Sequence, residues 1–341
     1  MSAVARITGV EPRYAIPGGE IAVACENFRM APGTTDGVYV AGQPCQIVAA
    51  SSTRILAIVP DSAGEGKTLL HLESLGSVSN TAEITVGQEI AEDMHIVANP
   101  AIDPSDDAII LTRSGSRGQH LPATLFRLEP DGYLDELPEA VLNPTGIAFD
   151  PHGQMYVSNR AQGEIYAVGR DGTATVHATG LGIATGIAFD GDWLYVGDRT
   201  GTIYRVSGLG TPETFAVLEA SVAAYHLAFG PDGRLYVTAP GLASHDAVYA
   251  IDKKGDVTTY FRGFGRPQGL AFDTNGDLYL VACYQGKHGI VRIAAGGQSA
   301  EHFLTGPNIV GLCFTRDGQM IVATGEQVYS VSCGVKGSLL N

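Results

Sequence analysis

His226 is the residue with the clearest capacity for chemistry in this chain of 341 residues. It stands in the phrase Ala224-Tyr-His-Leu-Ala-Phe-Gly230, and related phrases elsewhere in the chain carry glycine in its place. An imidazole transfers protons readily near neutral pH. We therefore expect His226, together with His288, to act as a catalytic base or to contact a ligand; the alternative is that His226 only forms a hydrogen bond within the fold.

Three arginines occupy matching places in successive segments of the sequence. Arg113, Arg160 and Arg199 each follow an apolar, strand-like stretch. Guanidinium groups form paired hydrogen bonds with anions, so the three could bind a carboxylate, a phosphate or a sugar acid. Alternatively, they are loop arginines that pair with Asp198 or Glu164.

A recurring phrase indicates which elements would position these residues. Its copies lie about 40 residues apart, which is the period of a four-stranded propeller blade. The six copies, of which the first is degenerate, are Val97–Asp103, Asn143–Asp150, Ile183–Asp190, Ala224–Gly230, Arg266–Asp273 and Asn308–Thr315. A second and a third strand can be identified after each copy, so the sequence predicts six blades. We expect Met94–Val97 to close the ring by supplying a strand to the last blade.

The first 88 residues follow a different pattern. Short alternating strands are separated by Gly, Pro and Asn turns, which is typical of an all-β sandwich. The predicted architecture is therefore all-β, with a sandwich over residues 1–88 and a six-bladed propeller over residues 89–341. Residues 88–93 are expected to form a short linker.

Both regions resemble known families. Residues 1–88 resemble the IPT/TIG immunoglobulin-like family through Pro12 followed by Gly18-Gly19, Glu26-Asn-Phe28, Ile58-Val-Pro60 and Ser79-Asn80. The repeats resemble the NHL and SMP-30/gluconolactonase propellers through the Pro-x-Gly-Ile/Leu-Ala-Phe-Asp phrase and through Asn275–Gly286. The first resemblance implies a spacer or a protein-docking module, and the second implies a fold that hosts lactonases, phosphotriesterases, lyases and non-catalytic binders.

In such a propeller, the starts of the inner strands and the loops between second and third strands share one face, the default ligand site. The candidate catalytic residues are His226 and His288. The candidate substrate-binding residues are Asn99, Arg113, Arg160, Asp198, Tyr225, His245, Gln268 and Tyr284. Other polar residues expected on this face are Arg117, His120, Thr145, Asn159, Thr185, Arg199, Asp246, Lys287 and Glu326.

The resemblance to the lactonases implies a divalent cation such as calcium, and a resemblance in fold to six-bladed amidating lyases implies zinc held by histidines, but the ligands are not evident. A calcium site needs several oxygen ligands, usually with carboxylates, whereas the matching positions here carry Thr145, Thr185, Tyr225 and Gln268. Zinc held by histidines from separate blades would leave no local spacing to recognise. The cofactor therefore stays unassigned at this point.

Composition limits the classes of partner and compartment. The net charge of −15 and the lack of a basic run argue against nucleic-acid binding. No stretch of about 18 apolar residues predicts a membrane span. The five cysteines include no CxxC pair. As it stands, the sequence predicts a cytoplasmic protein, or a secreted or periplasmic one if a signal peptide has been removed.

Three functions remain open from the sequence. The first is a hydrolase of the lactonase, esterase or phosphotriesterase type that acts on a small oxygen-rich substrate or carbohydrate. The second is a non-catalytic binding propeller with an immunoglobulin-like docking module. The third is a metal-dependent lyase.

Overall fold

A computed structural model describes residues 4–115, 119–242 and 245–338 of the chain. Within these ranges the chain consists of strands, turns and loops and contains no α-helix, which confirms the all-β prediction. Accordingly, no helix of the described residues is long and apolar enough to cross a membrane.

The N-terminal region contributes eleven of the described strands. They are β1 (Arg6–Glu11), β2 (Tyr14–Ala15), β3 (Glu20–Glu26), β4 (Gly37–Val40), β5 (Gln43–Pro44), β6 (Gln46–Ala50), β7 (Arg54–Ile58), β8 (Gly66–Ser74), β9 (Ser77–Val78), β10 (Ala82–Val86) and β11 (Gln88–Ala91).

The remaining strands form successive antiparallel groups. The first three groups are β12 (Ala101–Ile102), β13 (Ile109–Thr112), β14 (Leu125–Leu128) and β15 (Leu134–Glu136); β16 (Pro144–Phe149), β17 (Met155–Asn159), β18 (Glu164–Val168) and β19 (Ala174–Ala178); and β20 (Ala184–Asp190), β21 (Trp193–Asp198), β22 (Thr202–Val206) and β23 (Pro212–Val217). The last three groups are β24 (His226–Phe229), β25 (Leu235–Thr238), β26 (Asp246–Ile251) and β27 (Val257–Phe264); β28 (Leu270–Phe272), β29 (Leu278–Tyr284), β30 (Lys287–Ile293) and β31 (Ala300–Thr305); and β32 (Ile309–Phe314), β33 (Gln319–Thr324) and β34 (Val328–Ser332).

The described strands form seven sheets, six of four strands and one of ten. Counted by sheets, the chain therefore has seven units, whereas the sequence predicted six blades and a separate sandwich. Six of the units place an inner strand (β12, β16, β20, β24, β28 or β32) on one common channel. Consecutive inner strands from β16 to β32 contact each other, β32 also contacts β12, and β16 contacts β13 of the first group. The seventh unit, β1-β3-β7-β6, lies away from the channel.

The N-terminal region is joined to the rest of the chain through one shared sheet. Its two sheets share one core, made of residues between Ala5 and Val86. However, the two-residue strand β2 pairs in parallel with β10 on one side and with β31 on the other, which merges the two regions into the ten-stranded sheet. Ile16, fully buried, then packs in the core of the last two groups.

The last group is completed by a strand from the N-terminal side, but not by the one that was predicted. Its outer strand is β11, which pairs with β34 through Gln88↔Ser330 and Glu89↔Tyr329. The segment expected to be a linker is therefore the closing strand. Met94–Val97, the expected donor, forms no strand, and its Met94 N–H donates to Glu326 O at 2.9 Å.

A repeated aromatic contact explains why tyrosine recurs in the second strands and phenylalanine in the inner strands. The tyrosine of a second strand packs against the phenylalanine of the next inner strand, with ring centroids 4.7–5.1 Å apart. The pairs are Tyr156–Phe189, Tyr195–Phe229, Tyr236–Phe272 and Tyr279–Phe314. Such edge-to-face contacts stabilise the interfaces between neighbouring groups beyond the burial of area alone.

The glycine that recurs in the inner strands is required by the close packing of neighbouring backbones. A Cβ atom on Gly186 would lie 2.4 Å from the Tyr225 carbonyl oxygen, and one on Gly311 would lie 2.4 Å from the Ala98 carbonyl oxygen. The backbones of adjacent inner strands therefore approach each other too closely for any side chain between them. This ring of glycines narrows the channel.

Candidate functional site

The two ends of the channel are defined by the direction of the inner strands. The mouth end is where these strands begin and where the loops between second and third strands return. Backbone hydrogen bonds join the two at this end, from Arg160 N–H to Asn143 O and from Arg199 N–H to Ile183 O. The turn end is where the inner strands finish.

The mouth end collects most of the buried polar atoms that lack a partner. Seven buried side-chain atoms of the described residues form no hydrogen bond, and six of them lie at this end. The six are Arg113 Nε, Asn143 Oδ1, Thr145 Oγ1, Arg199 Nε, Asp246 Oδ2 and Gln268 Oε1. The seventh, Asp107 Oδ1, lies at the turn end and forms an ion pair with Arg316 at 3.0 Å. Since buried polar groups of native proteins are almost always satisfied, this end is built to meet water or a ligand.

The three arginines at this end, Arg113, Arg160 and Arg199, are the mouth arginines. None of them forms an ion pair with a described carboxylate. Burial lowers the pKa of the Arg160 guanidinium, and the nearby positive charge of Arg199 lowers it further. Arg160 forms no side-chain hydrogen bond with a described residue. Two like charges therefore lie close together with no anion of the described chain between them.

The partners considered for these arginines are engaged elsewhere. Asp198 accepts hydrogen bonds from Ile183 N–H at 2.8 Å, from Thr200 N–H and from the Thr200 hydroxyl. Glu164 accepts a hydrogen bond from the Tyr166 hydroxyl at 2.9 Å. Asp198 is thus a turn-capping residue, and the alternative in which loop arginines pair with Asp198 or Glu164 is wrong.

Arg113 and Arg199 are held in place by contacts that leave most of their donors available. The Arg113 guanidinium stacks on the Phe126 ring, 4.6 Å from its centroid. Arg199 Nη2 donates to the Val222 carbonyl oxygen at 2.8 Å. These contacts orient the guanidinium groups without neutralising their charge.

Tyr225 stabilises the fold rather than facing the mouth. It is fully buried, its hydroxyl donates to Glu219 O, and its N–H donates to Thr185 Oγ1 at 3.0 Å. Gly197 is required beside it, because a Cβ there would lie 2.7 Å from the Tyr225 Cβ. Burial raises the pKa of Tyr225 to about 12. Its hydroxyl is therefore neutral and already bonded to the main chain, so it is not available to a ligand.

Asn99 crosses the channel at the level of the glycine ring. Its Nδ2 donates to Leu270 O at 2.8 Å, and its Oδ1 accepts from Leu312 N–H at 3.0 Å. The amide thereby links three inner strands. Both ends of the amide are used in this way, so Asn99 joins the strands rather than presenting an oxygen to a cation.

His226 lies further along the channel than expected. It lines a cavity of about 460 Å³ that extends from the glycine ring towards the turn end, past Phe149, Phe189 and Gly337. The ring is nearly fully buried and forms no hydrogen bond with a described residue. Burial lowers the pKa of His226 to about 4, so the imidazole is neutral at pH 7.

The other predicted residues are spread around the mouth. His245 is exposed. His288 is exposed as a residue, but its imidazole is partly desolvated, which lowers its pKa, and the charge of Arg266 acts in the same direction. Gln268 is partly buried, and its main-chain carbonyl oxygen accepts a hydrogen bond from the Thr238 hydroxyl at 2.6 Å. The Tyr284 ring packs among Phe261, Phe264 and His302. Arg117 lies outside the described residues.

A lactonase-type cation does not fit the residues present. No three His, Cys, Asp or Glu side chains of the described residues are grouped closely enough to hold a metal ion. The hydroxyl of Tyr225 and the amide of Asn99 are already engaged. We derive no chemical step that passes through a metal.

An apolar feature of the mouth was missed from the sequence. Ile183, Val222 and Leu242 are exposed there, and each follows a glycine or a serine in a turn. Turn positions usually carry polar residues. Three large apolar residues in turns, two before inner strands and one between a second and a third strand, are the signal that could have revealed this surface.

Comparison with known proteins supports the architecture. No protein-family model matches the chain, and no curated protein matches it by sequence. Solved structures do match. A protein provisionally named a gluconolactonase is 17% identical with a TM-score of 0.60, over 74% of this chain and 93% of that one. The chain has a β-propeller fold.

Two further structures match over more of the chain. An auxiliary nutrient binding protein from Bacteroides thetaiotaomicron is 12% identical with a TM-score of 0.55, over 97% of this chain and 98% of that one. Virginiamycin B lyase from Staphylococcus aureus is 15% identical with a TM-score of 0.53, over 89% and 97%. The expected similarity to gluconolactonase-like propellers is confirmed at the level of fold. The IPT/TIG resemblance stays a prediction.

Proposed function

We propose that this protein binds a small, oxygen-rich anion at the mouth end of its propeller without converting it. The observation that carries the proposal is the group of mouth arginines with no acidic partner among the described residues. A half-buried guanidinium without a counter-charge is costly, and a bound carboxylate or phosphate would supply that charge. One of the structural neighbours is named as a nutrient-binding protein, which is compatible with this role.

The unsatisfied donors match an anion in kind. Arg113 Nε and Arg199 Nε are buried donors that lack an acceptor, and the Thr145 hydroxyl can donate as well. Anion oxygens accept such hydrogen bonds, and they gain strength where water is partly excluded. The buried Asp246 oxygen at the same end would face a hydroxyl or an ammonium group of the ligand.

A catalytic role receives less support from the geometry. Among the described residues, no hydroxyl or thiol donates a hydrogen bond to a histidine ring, so no nucleophile is paired with a base. His226 occupies the glycine position of its own inner strand, and its ring lines the central cavity and forms no hydrogen bond with a mouth arginine. Hydrolysis of a lactone or ester is the second candidate, favoured by His288, whose lowered pKa leaves an exposed neutral imidazole at the mouth.

We assign six of the seven sheets to propeller blades and the N-terminal region, residues 1–88, to an immunoglobulin-like module. Support comes from the six inner strands on one channel and from the single core shared by the two N-terminal sheets. The module is fixed to the fifth blade through β2, so it would hold a docking partner at a constant orientation to the propeller.

Thermal unfolding in a panel of anions tests the proposed function. Acetate, gluconate, phosphate and sulfate are compared with neutral glucose at constant ionic strength. We expect at least one anion, but not glucose, to raise the Tm of the wild type, because a ligand bound only by the folded state stabilises it. Arg160→Gln should abolish the increase.

The matched control is Arg205→Gln in the third blade. Arg205 is an arginine of the same fold that pairs with Glu213, away from the mouth. This variant should retain the anion-dependent increase in Tm. If no anion stabilises the wild type, or if both variants respond equally, the proposed function is wrong.

A further inference from the structure

An exposed apolar surface borders the mouth arginines. Its members are Ile183, Val222 and Leu242, which we call the apolar strip, and their exposed fractions are 37%, 45% and 96%. Single exposed apolar residues are common on protein surfaces and need no explanation. Three of them at one end of two adjacent blades form a patch of the kind that marks a binding surface.

Hydrogen bonds join the apolar strip directly to Arg199. The Arg199 N–H donates to Ile183 O at 3.2 Å, and its guanidinium donates to Val222 O at 2.8 Å. The Val222 N–H in turn donates to Pro240 O at 2.9 Å, two residues before Leu242. A cationic group and an apolar surface are therefore parts of one connected structure.

We propose that the anion bound by the mouth arginines is amphiphilic: a carboxylate whose apolar chain lies along Ile183, Val222 and Leu242. This inference rests on the proposed function, because the carboxylate is placed at the arginines. Its new content is the apolar half of the ligand. A fully hydrophilic sugar acid would leave the strip exposed to water.

The geometry predicts a dependence of affinity on chain length. Each methylene that leaves water for an apolar surface should tighten binding about fourfold. The carboxylate contacts should be the same for every member of a homologous series. Affinity should therefore rise from acetate through butanoate and hexanoate to octanoate.

Titration calorimetry with these four sodium salts at constant ionic strength tests the inference. Leu242→Ser is the informative variant, because so exposed a residue can be changed without disturbing the core. It should weaken octanoate binding about three- to tenfold and leave acetate binding unchanged. Leu209→Ser is the matched control, since Leu209 is 94% exposed and lies in the turn between β22 and β23, at the turn end.

The outcomes separate this inference from the proposed function. Equal affinity for acetate and octanoate, or an unchanged chain-length dependence in Leu242→Ser, would overturn the amphiphilic ligand and leave anion binding intact. An equal loss in Leu209→Ser would show a non-specific effect and would also overturn it. Failure of the wild type to bind any of the four salts, together with no response to phosphate, would overturn both.

Discussion

The turn end and the mouth end of the propeller are built from the same strands, yet they differ in whether their arginines pair with acidic side chains. At the turn end, Arg127 bonds Asp103 at 2.7 Å and Glu129 at 2.6 Å and also bonds Asp106. Arginines on other third strands are paired too, such as Arg292 on β30 with Asp277. At the mouth end, Arg113, Arg160 and Arg199 have no such partner.

Backbone turns show the same contrast. At the turn end, Asp150 Oδ1 accepts hydrogen bonds from His152 N–H and Gln154 N–H, and Asp273 repeats the arrangement with Asn275 and Asp277. These side chains complete the fold by themselves. The six unsatisfied atoms at the mouth end form no such hydrogen bonds, which indicates that they are kept for something outside the chain.

The largest expected effect compares one arginine from each end. Arg127→Gln should lower the free energy of unfolding by about 3 kcal/mol, because it removes the closer counter-charge of the buried Asp103 and leaves only the exposed Arg170, 4.0 Å away. Burial alone would raise the pKa of Asp103, but hydrogen bonds from Ser105 and Arg127 keep it lowered. Arg160→Gln should not lower the free energy of unfolding, because Arg160 has no acidic partner among the described residues and its buried charge is removed. Urea titration measures both, and an equal loss in the two variants would contradict the contrast.

The next effect concerns the buried ring of His226. In the unfolded chain this histidine takes up a proton below about pH 6.5, whereas its pKa in the fold is about 4. The free energy of unfolding should therefore fall by roughly 3 kcal/mol as the pH drops from 6.5 to 4, and remain constant above that range. His226→Ala should lose this part of the acid sensitivity.

His152→Ala serves as the control for that measurement, since His152 is exposed at the turn end. It should keep the acid sensitivity of the wild type. If His226→Ala and His152→Ala follow the same pH profile in urea titrations, His226 is accessible to protons in the fold and its described burial is wrong.

The smallest effect concerns metals. Dialysis against EDTA should leave the Tm unchanged, because the mouth end offers no group of three suitable ligands among the described residues. Elemental analysis before dialysis should find less than one equivalent of calcium or zinc. A full equivalent whose removal lowers the Tm would restore the lactonase or lyase alternatives.

Much of the fold could be predicted from the sequence, because its signals are local and repeated. The Tyr and Phe of the recurring phrases pack in pairs, and the glycine of each inner strand follows from close backbone approach. The closing strand could not be predicted. Gln88–Ala91 looks like a polar linker, and only its pairing with β34 makes it a strand. A two-residue strand such as β2 carries no recognisable pattern either.

The site was harder to predict, since its chemistry depends on which partners the fold supplies. Tyr225 and Asn99 are polar in sequence, but main-chain groups occupy them: Glu219 O, six residues away, for Tyr225, and Leu270 O on a distant strand for Asn99. From the sequence, Arg160 could pair with Asp198. In the structure, the Asp198 carboxylate instead accepts a hydrogen bond from Ile183 N–H. The sequence predicts which charged groups lie at the mouth. Which of them lack a partner is known only from the contacts in the structure.

The most direct test of anion binding by the mouth arginines uses two double variants, one at each end of the propeller. Their affinities for the best-bound anion are compared with that of the wild type. Titration calorimetry would compare wild type, Arg160→Gln with Arg199→Gln, and Arg205→Gln with Arg234→Gln as the control for lost charge. We expect the mouth variant to bind at least about a hundredfold more weakly, as two charge-assisted contacts are removed, and the control to bind like the wild type. Equal affinities in all three proteins would contradict the claim that the mouth arginines bind the ligand.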